Sequence, residues 1–368
     1  PRLPEIKHQD SRKSRRFSAL LSRKLLLLLL VAAMLFIPVS CSSDNPAATD
    51  EVETVTTQPE TVAQPPATLS TVPPLSPAER RQQEIREILA AYNVDREFSH
   101  INILAADSYQ GRLSGSAGAR AAADYISAKF LQLDLKPWSA AGLGSFRQPF
   151  AVAGVSSENI IGVLPGKNPG AFVILGAHYD HLGVNAGGAV YNGADDNAAG
   201  VAALLEAAEI FNNLGLTPQK SIVFCAFSGE EQGQLGATAL GQRLTETGLA
   251  ASVEMINIDG IGATGGTYFG VWDEGSTAAA PLVNAFKEAG LILGVPIREE
   301  GTDIGSDAQP FDWKFGIPAV TVDWHWGKDT YAYHPHYHSV NDDADKISWQ
   351  ALSQATKVSI VGLWIKAS

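Results

Sequence analysis

Beyond residue 77 the apolar positions of the chain fall into two kinds of grouping. Some recur at helical spacing, as in SPAERRQQEIREILAAY, where Ser76 is placed to cap the helix, and in GARAAADYISAKFLQL. Others are short unbroken runs rich in β-branched and aromatic residues: NIIGVLPG, AFVILGAHYD, residues 222–227, EMINID and AVTVDW. Helical stretches separate these runs: Ala198 to Asn213, a short one after Gly233, Ala279 to Gly290, and Ser348 to Lys366. Strands with no polar face are buried on both sides, and strands that alternate with helices pair in parallel. The pattern therefore predicts an α/β fold, a three-layer sandwich with a mostly parallel central sheet and helices on both faces. Sites in such sheets gather beyond the carboxyl ends of the strands.

Those ends hold an unusual set of side chains. AFVILGAHYDH brings His178 and Asp180, YNGADDNAAG brings Asp195 and Asp196, and SIVFCAFSGEEQGQLGA brings the adjacent Glu230 and Glu231. EMINIDGIG ends in Asp259, and HPHYHSVNDD supplies His334, His336 and His338. Six of the eight histidines lie in or near two of these loops, where random placement would scatter them. Imidazole and carboxylate without thiolate suit Zn²⁺, with Mn²⁺ or Co²⁺ as substitutes. Enough carboxylates are present for two ions sharing a bridge, a pairing that activates water and polarises a carbonyl. Two neighbouring glutamates repel each other unless a cation takes one, which leaves the other to handle protons.

GRLSGSAG, GAHYDHLG, GADDNAAGVAALLE, SGEEQGQLGA, NIDGIG, GSDAQPF and HPHYHSVND, in this order, resemble the signature segments of the co-catalytic di-zinc aminopeptidases (metallopeptidase clan MH, family twenty-eight). The likeness runs from about Gln110 to the C-terminus. It implies a zinc aminopeptidase in which His178, Asp195 and Asp259 hold one ion. Asp195, Glu231 and His338 would hold the other, with Asp195 as the bridge. Glu230 would be the general base, Asp180 would orient the His178 imidazole, and Tyr337 would donate to the oxyanion. Ala308 stands where relatives often have histidine, and His336 where they often have aspartate, which leaves specificity open. The plainer readings are that Asp196 caps the following helix, that His181, His325 and His334 are wall or core residues, and that Cys225 packs in a strand.

Three rivals share much of this pattern. A single-zinc glutaminyl cyclase of similar architecture typically lacks the histidine present here as His178. A dipeptidase or carboxypeptidase needs a cationic clamp, for which Arg298 is the candidate. A non-catalytic peptide-binding lipoprotein would not need the whole set from His178 to His338.

Composition adds context. A net charge of −12, from 27 Lys and Arg against 39 Asp and Glu, is the wrong sign for a nucleic-acid partner. The two cysteines, Cys41 and Cys225, make neither a disulfide framework nor a thiolate zinc site. Ahead of the domain, basic residues precede the apolar run Leu25 to Ile37, which is short for a membrane span of about 20 residues but right for a signal-peptide core. PVSC then resembles a lipoprotein processing site, with Cys41 as the lipidated residue. The expected organisation is a signal peptide over 1–41, a Thr/Pro-rich tether over 42–77 and a peptidase domain over 78–368. That domain would sit in the cell envelope, exported and held to the membrane through Cys41.

Overall fold

The computed structural model describes residues 75–152, 154–266, 268–301, 305–325 and 336–368. The expected signal peptide, Cys41 and most of the expected tether lie outside these residues, as does His334. Ser76 caps α1 (Pro77–Ala91) by accepting the Glu79 N–H, and the Glu79 side chain closes a reciprocal capping box. The helices α2 (Val94–Leu104) and α3 (Ala117–Gln132) follow, then the strands β1 (Arg147–Val152), β2 (Val155–Leu164) and β3 (Asn168–His178). A small hairpin of β4 (Gly183–Val184) and β5 (Val190–Tyr191) leads to α4 (Ala199–Asn213), β6 (Lys220–Phe227), α5 (Leu235–Glu246), β7 (Val253–Ile258) and β8 (Tyr268–Trp272). The chain continues with α6 (Ala280–Leu293), β9 (Ile297–Glu300), α7 (Ala308–Phe315), β10 (Ala319–His325) and α8 (Trp349–Ala367).

Eight strands form one sheet in the order β1-β2-β6-β3-β7-β10-β8-β9. Its centre, β6-β3-β7-β10, is parallel throughout. The contacts β1 with β2, β2 with β6, and β10 with β8 are antiparallel. Alternate residues of the central strands feed two separate cores. Val173, Leu175 and Ala177 of β3 and Ile222, Phe224 and Ala226 of β6 pack in one core, which includes residues of α2, α3, α4, α6 and α8. Phe172, Ile174, Val223, Cys225 and Phe227 pack in the other, with residues of α5 and α7. Side chains alternate across a strand, so an unbroken apolar run fills both layers at once. Each large apolar side chain buried this way contributes about 1.5–3 kcal/mol of transfer free energy. This is the three-layer sandwich that the apolar pattern implies.

The apolar pattern is silent on α2, α7, β1, β8 and β9. Most of these are short or polar elements near the margins: β1 carries Pro149 at the sheet edge, and β9 is the charged tetrapeptide IREE on the other edge. Edge strands tolerate proline and charge because one side of their backbone ladder is open. Among the described residues no helix is long and apolar enough to cross a membrane.

Candidate metal centre

The carboxyl ends of the four parallel strands converge. His178 is the last residue of β3, Glu230 and Glu231 follow β6, and Asp259 follows β7. His338 comes from the loop between β10 and α8, with a left-handed backbone at φ 51°. Strain of this kind in a non-glycine residue is concentrated at functional sites.

One carboxylate lies at the middle of the group, and it is Asp196. His178 Nε2 is 3.2 Å from Asp196 Oδ1 and 3.4 Å from Asp259 Oδ1. His338 Nε2 is 3.2 Å from Asp196 Oδ2 and 3.1 Å from Glu231 Oε2. Ligands bonded to a tetrahedral Zn²⁺ at about 2.0–2.1 Å are separated from one another by about 3.3 Å. All four distances match that edge length, so the donor set fits zinc on both sides of Asp196.

This corrects the expected bridge. Asp195 points elsewhere: its Oδ1 accepts the Gly262 N–H at 2.5 Å. The chain kinks at Asp196, at φ −111° and ψ 89°, so the two adjacent aspartates project differently. Nor does Asp196 cap the helix that follows. Asn197 takes that part, its Oδ1 accepting the Gly200 N–H at 3.0 Å and its amide donating to the Ile258 carbonyl at 2.8 Å. Asp342 fixes the kink from outside, accepting the Asp195 and Asp196 N–H groups at 3.0 and 3.1 Å on its two oxygens.

Asp180 also acts differently from expectation. His178 Nδ1 lies 3.1 Å from the Asp180 backbone carbonyl, while the Asp180 carboxylate is 3.8 Å away and accepts the Glu230 N–H at 3.3 Å. The imidazole is thus oriented by a main-chain oxygen, and the side chain orients the loop that carries the glutamates. Burial pushes the Asp180 carboxyl up to about 6.

The two glutamates differ as two jobs require. Burial pushes Glu230 well above the usual carboxylate range, and Asp307, Asp259 and Glu231 nearby add to the rise against the opposing His178. Burial acts the same way on Glu231, but hydrogen bonds from His181 and His338 outweigh it and lower the carboxyl. Glu230 therefore has the higher proton affinity and Glu231 is the better anionic ligand. Tyr337 stacks on His338 with ring centroids 3.8 Å apart and lines a cavity with Asp196, Glu230, Asp259, Ser306 and Asp323. Burial and the carboxylates around it push its phenol up, so the hydroxyl keeps its proton to donate.

Several residues that hold this arrangement carry no signal in the apolar pattern. Arg112 is fully buried, yet its guanidinium donates to the carbonyls of Tyr179, Leu104, Asn192 and Gly193 at 2.6–2.8 Å. Those bonds tie the loop after β3 to the loop before α4 and offset the cost of burying the charge. Ser306 donates to Asp259 Oδ2 at 2.6 Å and accepts from Asn257 at 2.7 Å. Of the remaining histidines, His325 pairs with Asp323 at 2.9 Å, while His336 is half-buried. Cys225 is buried in the sheet. Arg298 lies over the Tyr268 ring at 4.3 Å and pairs with Glu300.

The chain is similar to known proteins over most of the domain. It is 29% identical over 286 residues to leupeptin-inactivating enzyme 1 of Streptomyces exfoliatus, covering 74% of this chain and 61% of that protein. It is 30% identical over 219 residues to aminopeptidase YwaD of Bacillus subtilis, covering 54% and 42%. The chain thus spans less than two thirds of the length of either relative. Solved structures of the same fold include the LapA aminopeptidase of Legionella pneumophila, at TM-score 0.63 and 21% identity over 78% of this chain and 75% of that one. A glutaminyl cyclase of Porphyromonas gingivalis matches at TM-score 0.60 and 20% identity, over 74% and 98%. Residues 159–361 match the family described as Peptidase family M28, and they contain every residue of the converging group. The chain belongs to peptidase family M28.

Proposed function

We propose that this chain is an exported aminopeptidase working with two zinc ions that share Asp196. The observation that carries this reading is the position of Asp196, common to His178 and Asp259 on one side and to Glu231 and His338 on the other. His178, Asp196 and Asp259 would hold one ion, and Asp196, Glu231 and His338 the other. Mn²⁺ or Co²⁺ would substitute in the same donor set. When bound, the ions supply Lewis acidity toward the scissile carbonyl and toward water. Glu230 lines the cavity beside Asp196 without being needed as a ligand, and its high proton affinity suits it to take a proton from water and return it to the leaving amine. Tyr337 on the cavity wall donates toward the developing oxyanion. Asp180 holds the Glu230 backbone in place.

The substrate is a peptide with a free N-terminus, and the relatives named as aminopeptidases support that choice. Turnover of free, N-acetylated and C-amidated versions of one peptide tests it. An aminopeptidase loses the acetylated form and keeps the amidated one. A carboxypeptidase shows the reverse, and a cyclase releases ammonia from N-terminal glutamine without cleaving a peptide bond.

The leader gives the setting. A basic segment, an apolar core and Cys41 after PVS support export followed by lipidation, with the Thr/Pro-rich segment as a tether. Cys41→Ser is expected to move the protein out of the membrane fraction or to leave its precursor unprocessed. Unchanged mass and fractionation would exclude a lipid on Cys41.

A further inference from the structure

His181 is buried in the metal centre, and the roles assigned above leave it out. Its Nδ1 lies 2.6 Å from Glu231 Oε1. That separation is a charge-assisted hydrogen bond and is too short for two ligands of one ion, which stand about 3.3 Å apart. The other Glu231 oxygen, Oε2, is the one that faces His338 at 3.1 Å. The His181 ring meets the His338 ring edge-on with centroids 5.8 Å apart. It also packs against Gly193, where a Cβ would come within 2.6 Å of the imidazole and the backbone has φ +56°. The His181 N–H points to the Arg112 carbonyl, so backbone and side chain are both held. Among the described residues His181 Nε2 makes no hydrogen bond, and Nδ1, which also lies 3.7 Å from Asp196 Oδ2, has Glu231 as its hydrogen-bonding partner.

We propose that His181 is a positioning residue that occupies one oxygen of Glu231 and turns the other toward the ion shared with Asp196 and His338. A carboxylate free to rotate can grip an ion with both oxygens and crowd out a water or a peptide. With Oε1 taken by His181, Glu231 binds through Oε2 alone and the ion keeps an open position. Partners of this kind typically change metal affinity by about 10–100-fold. The proposal rests on the two-zinc reading above.

The test is a competition titration of zinc against a chelating dye, with the purified wild-type protein and two variants. Asparagine places an amide N–H where Nδ1 stands, whereas phenylalanine fills the space without a donor. His181→Phe is expected to weaken one of the two binding steps by about 10–100-fold and to leave the other unchanged, while His181→Asn stays close to wild type. The visible absorption of the cobalt-loaded His181→Phe protein is expected to shift toward higher coordination number. Should His181→Phe not fold, His181→Leu serves as the variant without a donor. The proposal is overturned if the donor-free variant binds both ions as wild type does, or if it and His181→Asn are impaired alike. It is also overturned if one equivalent of zinc is missing at saturation, which would make His181 a ligand. A wild-type protein that takes up fewer than two zinc ions would instead remove the two-zinc reading itself.

Discussion

Two groups of buried carboxylates among the described residues are in opposite states. One joins the helices. Glu97 of α2 is paired with the Tyr92 and Thr356 hydroxyls at 2.6 Å each, and Glu206 of α4 accepts the Asn93 N–H at 2.8 Å and two Arg96 nitrogens at 2.6 Å. Every oxygen there has a protein partner. The other group is the metal centre, where Asp180 Oδ2 is buried with no hydrogen-bond partner among the described residues and Asp196 Oδ2 is buried facing the His338 imidazole at 3.2 Å. Its histidines approach the carboxylates at the edge length of a coordination shell. Burial raises the proton affinity in both places, taking Glu97 up to about 8 and Asp195 up to about 7. What separates these two clusters is therefore the count of satisfied oxygens, because buried polar atoms are normally paired. Oxygens left open in one place mark where a cation belongs.

The comparison breaks most sharply at Asp196. Asp196→Asn keeps the shape and removes the charge shared by both halves of the centre, so both ions and turnover are expected to be lost. Asp195→Asn retains an oxygen for the Gly262 N–H and is expected to keep its zinc. Metal analysis of the two purified variants decides between the aspartates, and the reverse result would restore Asp195 as the bridge. Next in size is Glu230→Gln, which leaves the donor set intact and removes the proton acceptor. Turnover is expected to fall about 10²-fold or more with zinc content unchanged. Loss of zinc from this variant would show that Glu230 is itself a ligand.

The choice between Asp195 and Asp196 shows where reading a string of residues stops. Apolar runs ending in histidine and acid mark the strand ends and the ligand types, because those depend on composition and order. Which of two adjacent aspartates turns inward depends on the kink at Asp196, the Asp342 carboxylate that holds it and the Gly262 N–H that takes Asp195 away. These contacts join residues up to 147 positions apart, so no local pattern contains them. His181 and Arg112 are hidden for the same reason. Glu97 and Glu206 are harder still, since each sits in an ordinary helix and its burial follows only from how α2, α4 and α8 pack. The central strands were legible because a run such as SIVFCAF has no other stable place than a buried sheet, whereas IREE on the edge carries no such constraint.

A proton effect sharpens the same contrast. Burial alone would lower both site histidines, but Asp259 and Asp196 outweigh it at His178, and Asp196 with Glu231 holds His338 up at about 10. A raised histidine favours its protonated form, and zinc must displace that proton. Zinc affinity is therefore expected to fall as pH falls from about 8 to about 6, with proton release on binding. Calorimetry in buffers of different ionisation enthalpy measures the release. No proton release would mean that the carboxylates do not hold these imidazoles charged before metal arrives.

The smallest effect belongs to the helix cluster. Glu97 ionises at about 4.3 in an unfolded chain and at about 8 in the fold, because desolvation outweighs the hydroxyl hydrogen bonds. Its proton therefore favours the folded state. The contribution is complete below pH about 4.3 and is lost as pH rises through about 8. In the protonated form Glu97 donates to one of its two hydroxyl partners, which turns to accept. Glu97→Gln keeps a donor and an acceptor at that place and cannot ionise. Wild-type melting temperature is expected to decline between neutral pH and about 9, and the variant to decline less, a difference worth about 1–3 kcal/mol at the alkaline end. Zinc content and turnover at neutral pH are expected to stay as in wild type, since the cluster supplies no ligand. Parallel pH profiles of the melting temperature for the two proteins would show that Glu97 is already ionised in the fold, and the two carboxylate groups would then differ less than their hydrogen bonds imply.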